Sequence, residues 1–138
     1  MLNAYILNDY LDSDDRRTVE NAVGRAGFTP IYSVPANTSL LDASADVGIV
    51  GLPVAHADEA TVNARIKAFA GAGIRVICIW LHPEDEPNGC IPEGVGKYGI
   101  TVDVASPDLM ATIMGELDTW EEAGGAQRPA PKTKRNKC

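Results

Sequence analysis

Apolar residues enter this chain as short unbroken runs, separated by stretches with helical spacing. "DVGIVGL" (Asp46 to Leu52) and "IRVICIWL" (Ile74 to Leu81) are apolar without alternation. That is the pattern of strands covered on both faces of a parallel sheet. The runs "NAYILND" (Asn3 to Asp9), "FTPIYSV" and "ITVDVA" predict three further strands. Pro30 sets the second of the five at an edge or at a strand start. In "LDSDDRRTVENAVGRAGF", Val19, Ala22, Val23 and Ala26 recur at i, i+3, i+4 and i+7, which predicts a helix. Ser13 or Asp14 is the expected cap, and Gly27 stands where a helix stops. "HADEATVNARIKAFAGAG" predicts a second helix with Val62, Ile66, Phe69 and Ala70 inward, ending at Gly71 and Gly73. "SPDLMATIMGELDTWEE" predicts a last helix, with Ser106 as cap and Pro107 in the first position. Its expected inner face is Met110, Ile113, Met114 and Leu117. "PANTSLLDASA" reads as a loop or one short helix. "HPEDEPNGCIPEGVGKYG", with three prolines and four glycines, reads as a long irregular connection of a length that is often functional.

Strands that alternate with helices imply an α/β domain with helices on both faces of a parallel sheet. Right-handed crossovers then give a five-stranded doubly wound sheet of flavodoxin-like order 2-1-3-4-5, a three-layer sandwich. Ligands of such sheets sit beyond the carboxyl ends of the strands where the order reverses. Here Asn8, Asp9 and Tyr10 would face Gly51, Leu52, Pro53 and His56 there.

Composition changes this picture mainly through charge. The 138 residues carry a net charge of −7 and fit one domain. Residues 128–138, "RPAPKTKRNKC", hold five of the 12 basic residues and no acid, so an acidic body carries a basic tail. The expected division is a domain over 1–120 and a flexible basic tail over 121–138, since Pro and Lys without apolar anchors bury no core. An acidic body repels a nucleic-acid backbone. The tail offers weak contact to such a backbone, to an acidic partner or to the body itself. No apolar run is long enough for a membrane span, and the N-terminus lacks the features of a signal peptide. A cytoplasmic location is therefore expected. Cys78, Cys90 and Cys138 have no metal-ligand spacing, and Cys78 reads as a small buried hydrophobe. No metal is expected.

Three families share the outline. Flavodoxins hold a flavin phosphate in the loop after the first strand, but "NDYLDSDD" offers aspartates where a phosphate needs donors. "YILNDYLDSDDRRTVENAVGRAGF" and "DVGIVGLP" resemble a response-regulator receiver. Gly51 stands where that resemblance puts the phosphorylated aspartate, so the implied protein is a degenerate receiver. The longest resemblance begins at "SADVGIVGLPVAHADEATVNARIKAFAGAGIRVICIWLHPEDEPNGCIPEGVGKYGITVDV" and takes in "YILNDYLDSDD". These stretches resemble the Toll/interleukin receptor (TIR) domains and their nucleoside-deoxyribosyltransferase-like relatives.

The TIR resemblance implies two kinds of function. One is a signalling or adaptor module that acts by self-association or by docking a protein partner, with a nucleotide as a further ligand. The other is an NAD- or nucleotide-processing N-glycosidase or transferase; in prokaryotic members the setting is antiviral defence or cell signalling. The enzymes use a glutamate on the helix after the third strand, a negative group beside an oxocarbenium-like transition state. The resemblance puts Arg65 at that glutamate's position, and a cation there does not stabilise a positive charge. Glu59, in the first turn of the same helix, is the substitute carboxylate. Its plain reading is an acid favoured by the helix dipole. Asn8, Asp9, Tyr10, Gly51, Pro53 and His56 are the nucleotide-binding candidates, with NAD or a related nucleotide as ligand. Asn8, Asp9 and Tyr10 read equally as a strand end and helix entry. For His56 the functional reading is a phosphate ligand or an acid, while a lone loop histidine is more often merely exposed. His82 with Glu84, Asp85 and Glu86 reads as a solvated acidic loop.

Overall fold

A computed structural model of the chain describes residues 2–7, 11–32, 41, 42, 44–52, 54, 58–81, 93–104 and 106–115. Its elements in chain order are β1 (Asn3–Leu7), α1 (Ser13–Arg25), β2 (Thr29–Ile31), β3 (Asp46–Leu52), α2 (Glu59–Gly71), β4 (Arg75–Trp80), α3 (Glu93–Tyr98), β5 (Gly99–Asp103) and α4 (Leu109–Met114). The strands form one sheet in the order β2-β1-β3-β4-β5, with every pairing parallel. This is the flavodoxin-like α/β order that the alternation of strands and helices implies. β2 is an edge strand, which suits Pro30 because its ring nitrogen has no proton to give to a ladder.

Strand alternation divides the core in two. Ala4, Ile6, Val47, Ile49, Ile77, Ile79 and Val102 face α1 and α4, where they meet Val19, Ala22, Val23, Leu109 and Ile113. Tyr5, Leu7, Val50, Leu52, Val76, Cys78 and Trp80 face α2 and α3, where they meet Val62, Ile66, Phe69 and Val95. All seven residues of β3 are buried, as its unbroken apolar run requires. Cys78 lies wholly inside the second half of the core. Ala70, expected inward on α2, is only half-buried.

Several local expectations are corrected. The cap of α1 is Asp12, whose carboxylate accepts the Asp15 N–H at 2.8 Å, rather than Ser13 or Asp14. Gly27 follows the helix at φ +88°, a left-handed position that suits glycine. The connection after β4 contains α3, six residues long, which its two glycines conceal from a propensity reading. In the described residues α4 runs only from Leu109 to Met114. Ser106 is not its cap. The Ser106 hydroxyl accepts the Asp108 N–H at 3.1 Å, and Asp108 takes the cap position. The inner face of α4 is Leu109, Thr112 and Ile113, while Met110 and Met114 are 40 % and 47 % exposed. Thr112 can be buried because its hydroxyl donates to the Asp108 carbonyl at 2.7 Å. Leu117 and the tail from 121 lie outside the described residues. Among the described residues, no helix is long and apolar enough to cross a membrane.

Burial raises the pKa of the Tyr5 phenol above 10.0, and the charge of Asp46 raises it further. The unfolded chain ionises Tyr5 more readily than the folded one. The stabilising contribution is therefore whole below about pH 10 and is lost as the pH climbs past it. Tyr5→Phe is expected to flatten the alkaline limb of the stability curve while changing little at neutral pH. Urea melts at several pH values read this out, and a limb of unchanged slope would contradict it.

Candidate functional site: the carboxyl edge of the sheet

β1 ends at Leu7 and β3 at Leu52, so the mouth where the strand order reverses lies just beyond them. Asn8, Asp9, Tyr10, Pro53 and His56 all lie outside the described residues, as do His82, Glu84, Asp85 and Glu86. The described part of this edge is built by Leu11, Gly51, Leu52, Glu59, Asn63, Trp80, Leu81, Gly94 and Asp103.

Gly51 is held under apolar side chains. A Cβ at this position would lie 2.7 Å from Leu81 Cδ1 and 3.0 Å from Leu11 Cδ2. Any larger side chain, an acceptor aspartate included, would have to displace Leu81. Leu11 sits immediately before the cap of α1, so this packing also fixes how α1 leaves the sheet.

Glu59 opens α2 and is half-buried. Its Oε1 accepts the Asn63 Nδ2 proton at 2.8 Å. Asn63 Oδ1 in turn accepts the Gly94 N–H at 2.7 Å. One side-chain relay thus ties the first turn of α2 to the first turn of α3. Position 94 admits only a glycine without rearrangement, because a Cβ would lie 2.9 Å from Asn63 Oδ1 and 3.0 Å from Ile66 Cγ2. Asn63 was passed over in the sequence. Its one signal is that it follows Glu59 by four positions, the spacing at which helical side chains meet. Arg65 lies half-buried in the middle of α2.

Asp103 is a second residue that the sequence left unremarked. It ends β5 in register with Trp80 and is 6 % exposed. "ITVDVA" looks like ordinary strand alternation, so nothing flags a buried carboxylate there. Among the described residues, no group of three or more His, Cys, Asp or Glu side chains is placed to hold a metal ion.

Two further cavities are formed by described residues. One, of about 300 Å³, opens at the amino ends of the strands between Asp46 and Arg75. The other, of about 290 Å³, lies between α1 and α4 beside Arg25 and Met110. No protein-family model matches the chain, no curated protein matches it, and no solved structure matches it. The fold therefore rests on the strand order and pairing themselves.

Proposed function

We propose that this chain is a signalling or adaptor module with a TIR-like fold, working through protein–protein assembly and holding a nucleotide such as NAD at the carboxyl edge of its sheet without cleaving it. The observation that carries this reading is the engagement of Glu59, the substitute carboxylate. Glu59 gives its carboxylate to Asn63, in a relay that fastens α2 to α3. An acid that attacks or stabilises a sugar cation must face the sugar, whereas one oxygen of this carboxylate is held by Asn63 in a relay that joins two helices. Arg65, at the position the TIR resemblance gives to the catalytic glutamate, supports the same reading, because it brings the wrong charge. Assembly then falls to the surfaces of the domain, with a second copy or a protein partner as the counterpart.

Incubation of the full chain with NAD is expected to yield no nicotinamide above the no-protein control, while titration calorimetry registers NAD binding. Light scattering across a concentration series is expected to show self-association, or association with an added partner. Turnover by the native chain that disappears in Glu59→Gln would overturn the proposal. It would favour an N-glycosidase with Glu59 as its carboxylate and with Asn8, Asp9, Tyr10 and His56 around the sugar and base. Glu59→Gln keeps an oxygen that can accept from Asn63, so its fold is expected to be unaffected and the comparison reports chemistry alone.

A further inference from the structure

Three of the four large apolar residues exposed among the described residues lie along one side of α4. They are Leu2, Met110 and Met114, at 41 %, 40 % and 47 % exposure. Met110 and Met114 are four positions apart, so they form one strip along the helix. Leu2 and Met114 line a common cavity, which carries the strip past the end of α4. Exposed apolar residues that cluster mark a surface for another molecule, whereas single ones need no explanation.

Beside the strip runs the groove of about 290 Å³ between α1 and α4. Met110 forms part of its wall with Ala22, Val104 and Leu109, and Arg25 and Ser106 give it a polar side. Arg25 closes α1 and is exposed. Its Nε donates to the Asn21 carbonyl of its own helix at 3.4 Å, and among the described residues no acid forms an ion pair with it. On the α4 side, Asp108 stands between Pro107 and Leu109, both of which line the groove. Asp108 takes the cap position of α4, yet its carboxylate accepts no capping hydrogen bond and, among the described residues, forms no ion pair.

These two charges restrict the occupant. A basic segment would be attracted by Asp108 and repelled by Arg25, and an acidic one the reverse. A surface that sets an acid against Arg25 and a base against Asp108 is attracted by both. The same face of a second copy, turned over by a two-fold axis, is such a surface, because each contact is then made twice with the residues exchanged. The chain carries a net charge of −7, so two copies repel unless they meet where the charges balance. This face offers one charge of each sign.

We propose that the α1–α4 face pairs two copies of this chain about a two-fold axis. Met110 of each copy enters the groove of the other, and Arg25 of each meets Asp108 of the other. A methionine side chain suits the task, being unbranched and adaptable to the gap it fills. The pairing rests on the assembly reading above and gives that assembly its surface. The described α4 is six residues long, and the face falls short of the roughly 20–30 residues a side of a standard interface, so the dimer is a weak one.

Sedimentation velocity on the full chain tests this, under reducing conditions that keep Cys90 and Cys138 from joining copies covalently. The native chain is expected to pass from monomer to dimer with a Kd of about 100 µM. Arg25→Glu and Asp108→Arg each set like charges against each other, and each is expected to weaken the dimer at least about tenfold. An equimolar mixture of the two variants has opposite charges at both contacts and is expected to associate within about threefold of the native chain. Because Asp108→Arg also alters the start of α4, Met110→Lys gives a further arm. It changes an exposed residue, keeps the melting temperature, and is expected to weaken the dimer at least about tenfold. A chain that stays monomeric at about 1 mM would overturn the proposal and leave the adaptor reading to rest on a different protein as partner. A dimer that withstands both charge variants and Met110→Lys would overturn it too, while assembly itself would stand on another surface. So would a mixture of the two folded charge variants that associates no better than either alone.

Discussion

Trp80→Ala is expected to cost about 3–5 kcal/mol of stability, in the range measured for emptying a large aromatic site in a core. Trp80 is 1 % exposed and ends β4, with Leu52 of β3 and Asp103 of β5 beside it in register. It belongs to the half of the core beneath α2 and α3, where Val95 is the buried anchor of the short α3. Six residues form too few turns to hold a helix on their own, so α3 depends on that contact and on the Asn63–Gly94 bond. The loss expected from Trp80→Ala is a large part of the roughly 5–15 kcal/mol that stabilises a domain. It should be concentrated at α3, whose amides are expected to exchange faster with solvent than those of β3. An unfolding free energy from urea melts that falls by less than about 1 kcal/mol would mean that Trp80 is not enclosed as described.

The parts of this fold legible in the sequence are those decided by local pattern. β3 and β4 are apolar runs, and the pattern delimits each to within one residue at either end. The buried stripe of α1 follows from spacing alone. The two corrected helices show where pattern fails. In α3, residues 93–98 contain two glycines and follow a proline, so local propensity speaks against a helix. Its existence is owed to a distant partner: Asn63 Oδ1 takes the Gly94 N–H, and Val95 enters a core assembled by β4 and α2. In α4 the apolar residues Met110 and Met114 looked inward, yet Thr112 took a place in the core. A hydroxyl that returns its proton to the preceding turn is cheap to bury, and hydropathy alone does not register this. That Asp46 and Arg75 line one cavity was equally invisible, because strand register and the end of α4 bring them together. For Glu59, the sequence located the acid correctly at the start of α2, while the structure supplies the partner that gives it a different task.

The second large effect is expected at Gly48, and it separates crowding from loss of contact. Gly48 lies in the middle of the fully buried β3. A Cβ there would meet the Phe69 ring at 2.8 Å from Cδ2, 2.9 Å from Cε2 and 3.2 Å from Cγ. Contact along the whole near side of the ring leaves no small torsion that relieves it. Phe69 is 1 % exposed and has the Tyr5 ring 6.5 Å away, so the phenyl group has nowhere to retreat. Gly48→Ala is therefore expected to destabilise the chain by about 1–3 kcal/mol, the usual cost of forcing extra atoms into a close-packed core. Gly48→Val should cost more, although valine is the better strand former. If the cost arises from the ring, shortening the ring residue must reduce it. In a Phe69→Leu background, Gly48→Ala is expected to cost at least about 1 kcal/mol less than in the native chain, a coupling of the size found between residues in direct contact. Strictly additive losses in that double-mutant cycle would show that the glycine serves the backbone of β3 and not the passage of α2 across the sheet. Non-additive losses would locate the closest approach of helix to sheet at this one pair. That contact helps to set how α2 lies on the sheet, and with it where Glu59 stands at the carboxyl edge.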